Sequence, residues 1–136
     1  MNWRKLVLLD EPIIDEHHTQ LLSLIAKTKD AREITKKDFL IHITSLVDYA
    51  TYHFEYEEKL MKKYNYPLYN QHKQIHEVFM VKVNQWVDEF NNMPYIIAEN
   101  ELDKIIQFGM EWLNRHILYV DRKFIDFLKE NNYHIS

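Results

Sequence analysis

His53-Phe54-Glu55-Tyr56-Glu57 places a histidine and a carboxylate four residues apart, and His72-Lys73-Gln74-Ile75-His76 repeats the interval with two histidines. On a helix, residues four apart differ by about 40° around the axis, so each pair presents two metal-ligand groups in one direction. His18 and the pair His116 and Asp121 add candidates from two further segments. The full candidate set is His18, His53, Glu57, His72, His76, His116 and Asp121. The chain has eight histidines and no cysteine. Disulfides, iron–sulfur clusters, thiolate zinc sites and cysteine nucleophiles are therefore excluded, and any metal takes His, Asp, Glu or water as ligands.

Each of these residues has an ordinary reading. A lone buried histidine is usually a hydrogen-bonded core residue, and a His–Glu pair at this spacing is usually a surface interaction. Together they weigh differently, because uncompensated polar groups in a core cost about 1–3 kcal/mol each. Other chemistries lack their residues. There is no Ser–His–Asp order, no phosphate loop and no His-Asp dipeptide, and His76-Glu77 is followed by Met80 where a zincin would need a second histidine.

To converge, the candidates must sit on helices that pack together. With 46% hydrophobic residues, 28% charged, one glycine and three prolines, the chain reads as nearly all helix. Its 136 residues fit a single domain, 1–136. The apolar positions Leu21, Leu22, Leu24 and Ile25 predict a first helix from near Ile14 to Asp30, after an extended lead-in over residues 1–13 that includes Pro12. Thr35-Lys36-Lys37-Asp38 resembles a capping box and opens a second helix, which Asn65-Tyr66-Pro67 stops near Tyr64. A third runs from about Leu68 to Phe90, ahead of Asn91-Asn92-Met93-Pro94. The fourth spans roughly Ala98 to Lys129, with Asn131-Asn132 at its end. Four amphipathic helices with short connections predict an all-α, up-down-up-down four-helix bundle.

Of the remaining histidines, His17 and His42 are expected not to be ligands. His42 lies eleven residues before His53, which is about 16 Å along the axis and too far for a shared site. His17 is rotated about 100° from His18. His116 and Asp121 pose a different problem, because a five-residue spacing puts them about 140° apart on an ideal helix. A π-bulge or comparable distortion between them would restore convergence, and the apolar stripe shifts from Gly109-Leu113 to Phe124-Leu128 as one inserted residue requires.

The ordered motifs Ile14-Asp15-Glu16-His17-His18-Thr19-Gln20-Leu21, His53-Phe54-x-x-Glu57-Glu58-x-x-Met61, Tyr66-Pro67 with His72-x-x-x-His76, and Trp112-Leu113-x-x-His116-Ile117-x-x-x-Asp121 resemble those of bacterial hemerythrins. The resemblance covers nearly the whole chain, including Trp3. It departs at His17, where the family more often has glutamine. The resemblance implies a non-haem di-iron cofactor. His72, His76 and His116 would bind one iron, His18 and His53 the other, and Glu57 and Asp121 would bridge them together with an oxo or hydroxo group. The second iron then has one ligand fewer, and dioxygen would bind there.

Five neutral imidazoles and two carboxylates support highly oxidised iron less well than the carboxylate-rich sites of ferritin-like oxidases. The expectation is therefore a reversible dioxygen carrier for storage, delivery or scavenging rather than an enzyme. An oxygen or redox sensor acting through a partner, and an iron-handling or peroxide-consuming enzyme, are the alternatives. Leu21, Leu22, Phe54, Trp112, Leu113 and Ile117 lie within a turn of ligands and are the expected lining of a dry ligand pocket. Small anions such as azide would enter the ferric site. A net charge of −4 gives no reason to bind nucleic acid, and no apolar run is long enough for a membrane helix, so a soluble cytoplasmic protein is expected.

Overall fold

Capping groups set the helix ends in the computed structural model, which describes residue 9 and residues 11–29, 33–92 and 96–135. Helix α1 spans Pro12–Lys29. The backbone N–H of Ile14 donates to the Glu11 carboxylate at 2.6 Å. Pro12, with its fixed φ and no N–H to satisfy, takes the first helical position. The helix thus starts two residues before the expected Ile14, and Pro12 belongs to it rather than to the lead-in. Most of the lead-in, with Trp3, lies outside the described residues, but Leu9 is buried and its N–H donates to Asp15 Oδ1 at 2.7 Å.

Helix α2 spans Lys36–Lys63, and the Asp38 N–H donates to Thr35 Oγ1 at 3.1 Å as the capping sequence predicts. Asn65, at φ 53°, ends it by letting the Tyr66 N–H reach the Met61 carbonyl at 2.9 Å. Asparagine is one of the few residues that adopts this left-handed conformation readily. Helix α3 spans Tyr69–Asn91. The fourth helix is continuous but composite: α4 (Glu99–Arg115), a π-helical turn (His116–Asp121) and α5 (Arg122–Glu130). Asn132, at φ 57°, closes it as Asn65 closes α2, with the Tyr133 N–H on the Leu128 carbonyl at 2.8 Å.

Helix α1 packs on α2 and α4, and α2 packs on α3. Between α3 and α4 the contact is aromatic, with Phe79 stacked on Trp112 at 4.0 Å and Trp86 edge-on to Phe108 at 4.7 Å. The result is the expected up-down-up-down bundle, with Ile14, Met61, Ile117, Phe124 and Ile125 among its most deeply buried side chains. One feature was not expected. Strands β1 (Glu33–Thr35) and β2 (Ile96–Ala98) pair antiparallel with Ile34 opposite Ile97, and clasp the α1–α2 and α3–α4 connections together. The β-branched residues favour this pairing, but three-residue strands are too short to show an alternating pattern. No helix among the described residues is long and apolar enough to cross a membrane.

The π turn positions the far end of the fourth helix. Its wider ring appears in the Arg122 N–H, which bonds the Ile117 carbonyl five residues back. With one residue absorbed, buried His116 and buried Asp121 meet, Nε2 to Oδ1 at 3.0 Å. Phe124 and Leu128 rejoin the core stripe. Deleting Tyr119, which is 66% exposed, should let the turn relax to an α-helix that keeps both residues on the site side. The thermal midpoint followed by circular dichroism should then stay within a few degrees. Deleting exposed Glu111 instead rotates one part of the stripe by about 100° against the other and should abolish cooperative unfolding. Equal damage from both deletions would show that the turn is not an absorbed insertion.

Candidate metal centre

The seven candidate residues come from every helix of the bundle. His18 is on α1, His53 and Glu57 are on α2, His72 and His76 open α3, and His116 and Asp121 bound the π turn. All are buried: His18, His53, Glu57 and Asp121 have no exposed surface, and His72, His76 and His116 retain 2–3%. Their ligand atoms form two groups, each within 4.8 Å. One comprises Glu57, His72, His76, His116 and Asp121, the other His18, His53, Glu57 and Asp121. The two carboxylates belong to both.

Whether these residues fit cations is tested by their own hydrogen bonding. Neither oxygen of Glu57 has a hydrogen-bond partner. His53 Nε2 lies 2.7 Å from Glu57 Oε1, and His72 Nε2 lies 3.0 Å from Asp121 Oδ1, yet neither nitrogen is aligned for a hydrogen bond. His76 Nε2 and His116 Nε2, by contrast, are within hydrogen-bond reach of each other at 3.1 Å. The Glu57 oxygens and the His53 and His72 nitrogens, close without pairing, are aimed past one another at common points. An unmade buried hydrogen bond costs about 1–3 kcal/mol, and more for a charged group. A cation at each point would satisfy these atoms together, and imidazole with carboxylate suits iron, zinc or manganese.

Electrostatics point the same way. Burial, and then the neighbouring Asp121 carboxylate, raise the pKa of Glu57 well above its usual value. Burial acts on Asp121 in the same sense, but the imidazoles of His116, His18 and His72 outweigh it and hold its carboxyl well below the usual range. Two adjacent buried carboxylates do not both ionise without compensating positive charge. A cation beside Glu57 would supply that charge. Burial pushes His53 down to about 3 and His76 to about 2, and lowers His116 as well. His72 goes the other way, since Asp121 and Glu57 together overcome its burial.

Around these groups, contacts fix the rings. His76 Nδ1–H donates to Glu58 Oε2 at 3.0 Å, Phe54 stacks on His76 at 3.9 Å, and Trp112 stacks on His116 at 4.5 Å. Of the expected pocket residues, Leu21, Leu22, Phe54, Leu113 and Ile117 are buried, whereas Trp112 is half-buried and borders a surface groove. His42 lines a separate apolar cavity with Trp86 and Gly109. Sequence reasoning missed Glu58, and it missed the approach of His17 Nδ1 to His53 Nδ1, 2.9 Å. Both are contacts between helices, for which no spacing along the chain gives a signal.

Comparison with known proteins follows the same lines. The chain is 28% identical over 120 residues to a bacteriohemerythrin of Pseudomonas aeruginosa, covering 88% of this chain and 75% of that one. It is 33% identical over 113 residues to the hemerythrin alpha subunit of Lingula reevii, covering 80% and 78%. A crystal structure of wild-type hemerythrin superposes with a TM-score of 0.72 at 22% identity, covering 82% of this chain and 84% of that one, a likeness of fold. Residues 11–128 match the family described as the hemerythrin HHE cation binding domain, and the chain therefore belongs to the hemerythrin family.

Proposed function

We propose that the chain holds two iron ions and binds dioxygen reversibly, as an oxygen carrier rather than an oxidase. The observation that carries this reading is that two ligand groups share Glu57 and Asp121 while differing by one histidine. His72, His76 and His116 would hold one ion and His18 and His53 the other, with the two carboxylates bridging. The group with fewer nitrogens leaves room for a small exogenous ligand. When bound, the iron pair supplies the two electrons that dioxygen binding borrows and returns.

The residues of the chain then set the limit on that chemistry. Five histidines bring no negative charge, so the site offers little support to iron oxidised beyond the ferric state. Buried Leu21, Leu22, Leu113 and Ile117 deny water and anions a hydrogen-bonded path. Repeated exposure of the reduced, iron-loaded protein to oxygen and then to argon tests the reading. The absorption spectrum should change and return over several cycles. Irreversible oxidation in the first cycle, or turnover of peroxide, would replace the carrier with an enzyme, and a protein partner bound in one redox state alone would make it a sensor.

Leu113 lies one turn before His116 and is 4% exposed. Leu113→Asn should keep both irons but autoxidise faster and take up azide more readily. If Leu113 were core alone, the substitution would lower stability by about 2–5 kcal/mol and leave the oxidation rate unchanged.

Acid should unfold the metal-free protein for a specific reason. His17, His53 and His76 are lowered to about 4, 3 and 2, so near pH 5 the unfolded chain binds protons that the folded chain refuses. Stability from these groups is present above the unfolded value of 6.5 and is lost as pH falls below it. The raised pKa values of Glu57 and His72 oppose the trend, but they are two groups against the four histidines, His116 included, that burial lowers. The thermal midpoint of metal-free protein should therefore drop between pH 7 and pH 5, and a flat or rising profile would contradict the burial of neutral histidines.

A further inference from the structure

We propose that His17 is a positioning residue for the ion at His18 and His53: its Nδ1 accepts the His53 Nδ1–H and so holds the His53 tautomer and ring plane that aim Nε2 at the metal. The inference rests on the two-ion reading above and assigns a role to a residue outside both ligand groups.

A neutral imidazole carries one proton, on one nitrogen or the other. His53 Nε2 faces the Glu57 carboxylate at 2.7 Å without the alignment of a hydrogen bond, which is the behaviour of a bare lone pair aimed elsewhere. The proton then sits on Nδ1, and the atom facing Nδ1 at 2.9 Å is His17 Nδ1. Two nitrogens at this distance require one donor and one acceptor, so His17 keeps its own proton on Nε2.

Packing holds the acceptor in place. His17 is 5% exposed, and its ring contacts Tyr49 at 5.9 Å, Tyr52 at 5.2 Å and Tyr56 at 4.9 Å, all from α2. Adjacent residues on α1 diverge by about 100°, which lets His18 face Asp121 at 2.8 Å while His17 crosses to His53. The other group has a different partner at the same point of its ligand sphere, where the His76 Nδ1–H goes to the Glu58 carboxylate. A carboxylate acceptor makes its histidine a stronger donor to metal than a neutral imidazole does. His17 and Glu58 therefore give the two ions unequal ligand fields.

The test combines tautomers and titration. Long-range proton–nitrogen NMR of the metal-free wild type should find His53 protonated at Nδ1 and His17 at Nε2, and the reverse at His53 would overturn the proposal without any variant having to fold. Anaerobic titration with ferrous iron should show His17→Leu binding one ion with wild-type affinity and the second about 10–100-fold more weakly. His17→Gln, whose side-chain carbonyl can accept the same N–H, should recover most of that loss. A His17→Leu protein that binds both ions as wild type does would reduce His17 to packing. A wild type that binds fewer than two ions would sink the two-ion reading instead, and the tautomers would still decide this one.

Discussion

Two carboxylates buried side by side at the centre of a helical bundle form the constraint on which the rest of this structure turns. Glu57 and Asp121 have no exposed surface, and the neighbours that act on their charge are each other and the surrounding imidazoles. Imidazoles hold the Asp121 carboxyl well below its usual range, whereas burial and the Asp121 carboxylate push Glu57 well above its own. An arrangement this costly persists only if something in the working protein offsets it. Cations between the carboxylates would do so, and would also account for nitrogen and oxygen atoms that crowd together without pairing.

The bundle's departures from regularity serve this centre. The π turn brings His116 and Asp121 together and returns the chain to its core stripe. Stacking of Phe54 on His76 and of Trp112 on His116 locks two ring planes that short side chains alone would leave free. Each ring so stacked belongs to a candidate ligand, so the packing that stabilises the bundle also orients the residues that could hold a metal.

What the sequence made legible follows physical range. Helices with strong apolar periods, the Thr35 cap and the asparagine stops were readable because their signals are local. The π turn was readable from a conflict, since five-residue spacing and a shifted stripe cannot both belong to an ideal helix. Pro12 was misplaced because a proline both ends extended segments and starts helices, and only the Glu11 carboxylate on the Ile14 N–H decides between them. The β clasp, Glu58 on His76 and His17 on His53 depend on which helices become neighbours and at what rotation. No interval along the chain encodes that.

The central claim is that one pair of carboxylates serves two metal ions. Crystals of the anaerobically iron-loaded protein, measured on both sides of the iron absorption edge, test it most directly. The account predicts two anomalous peaks with Glu57 and Asp121 between them, one beside His72, His76 and His116 and the other beside His18 and His53. A single peak, or peaks away from the shared carboxylates, would contradict it.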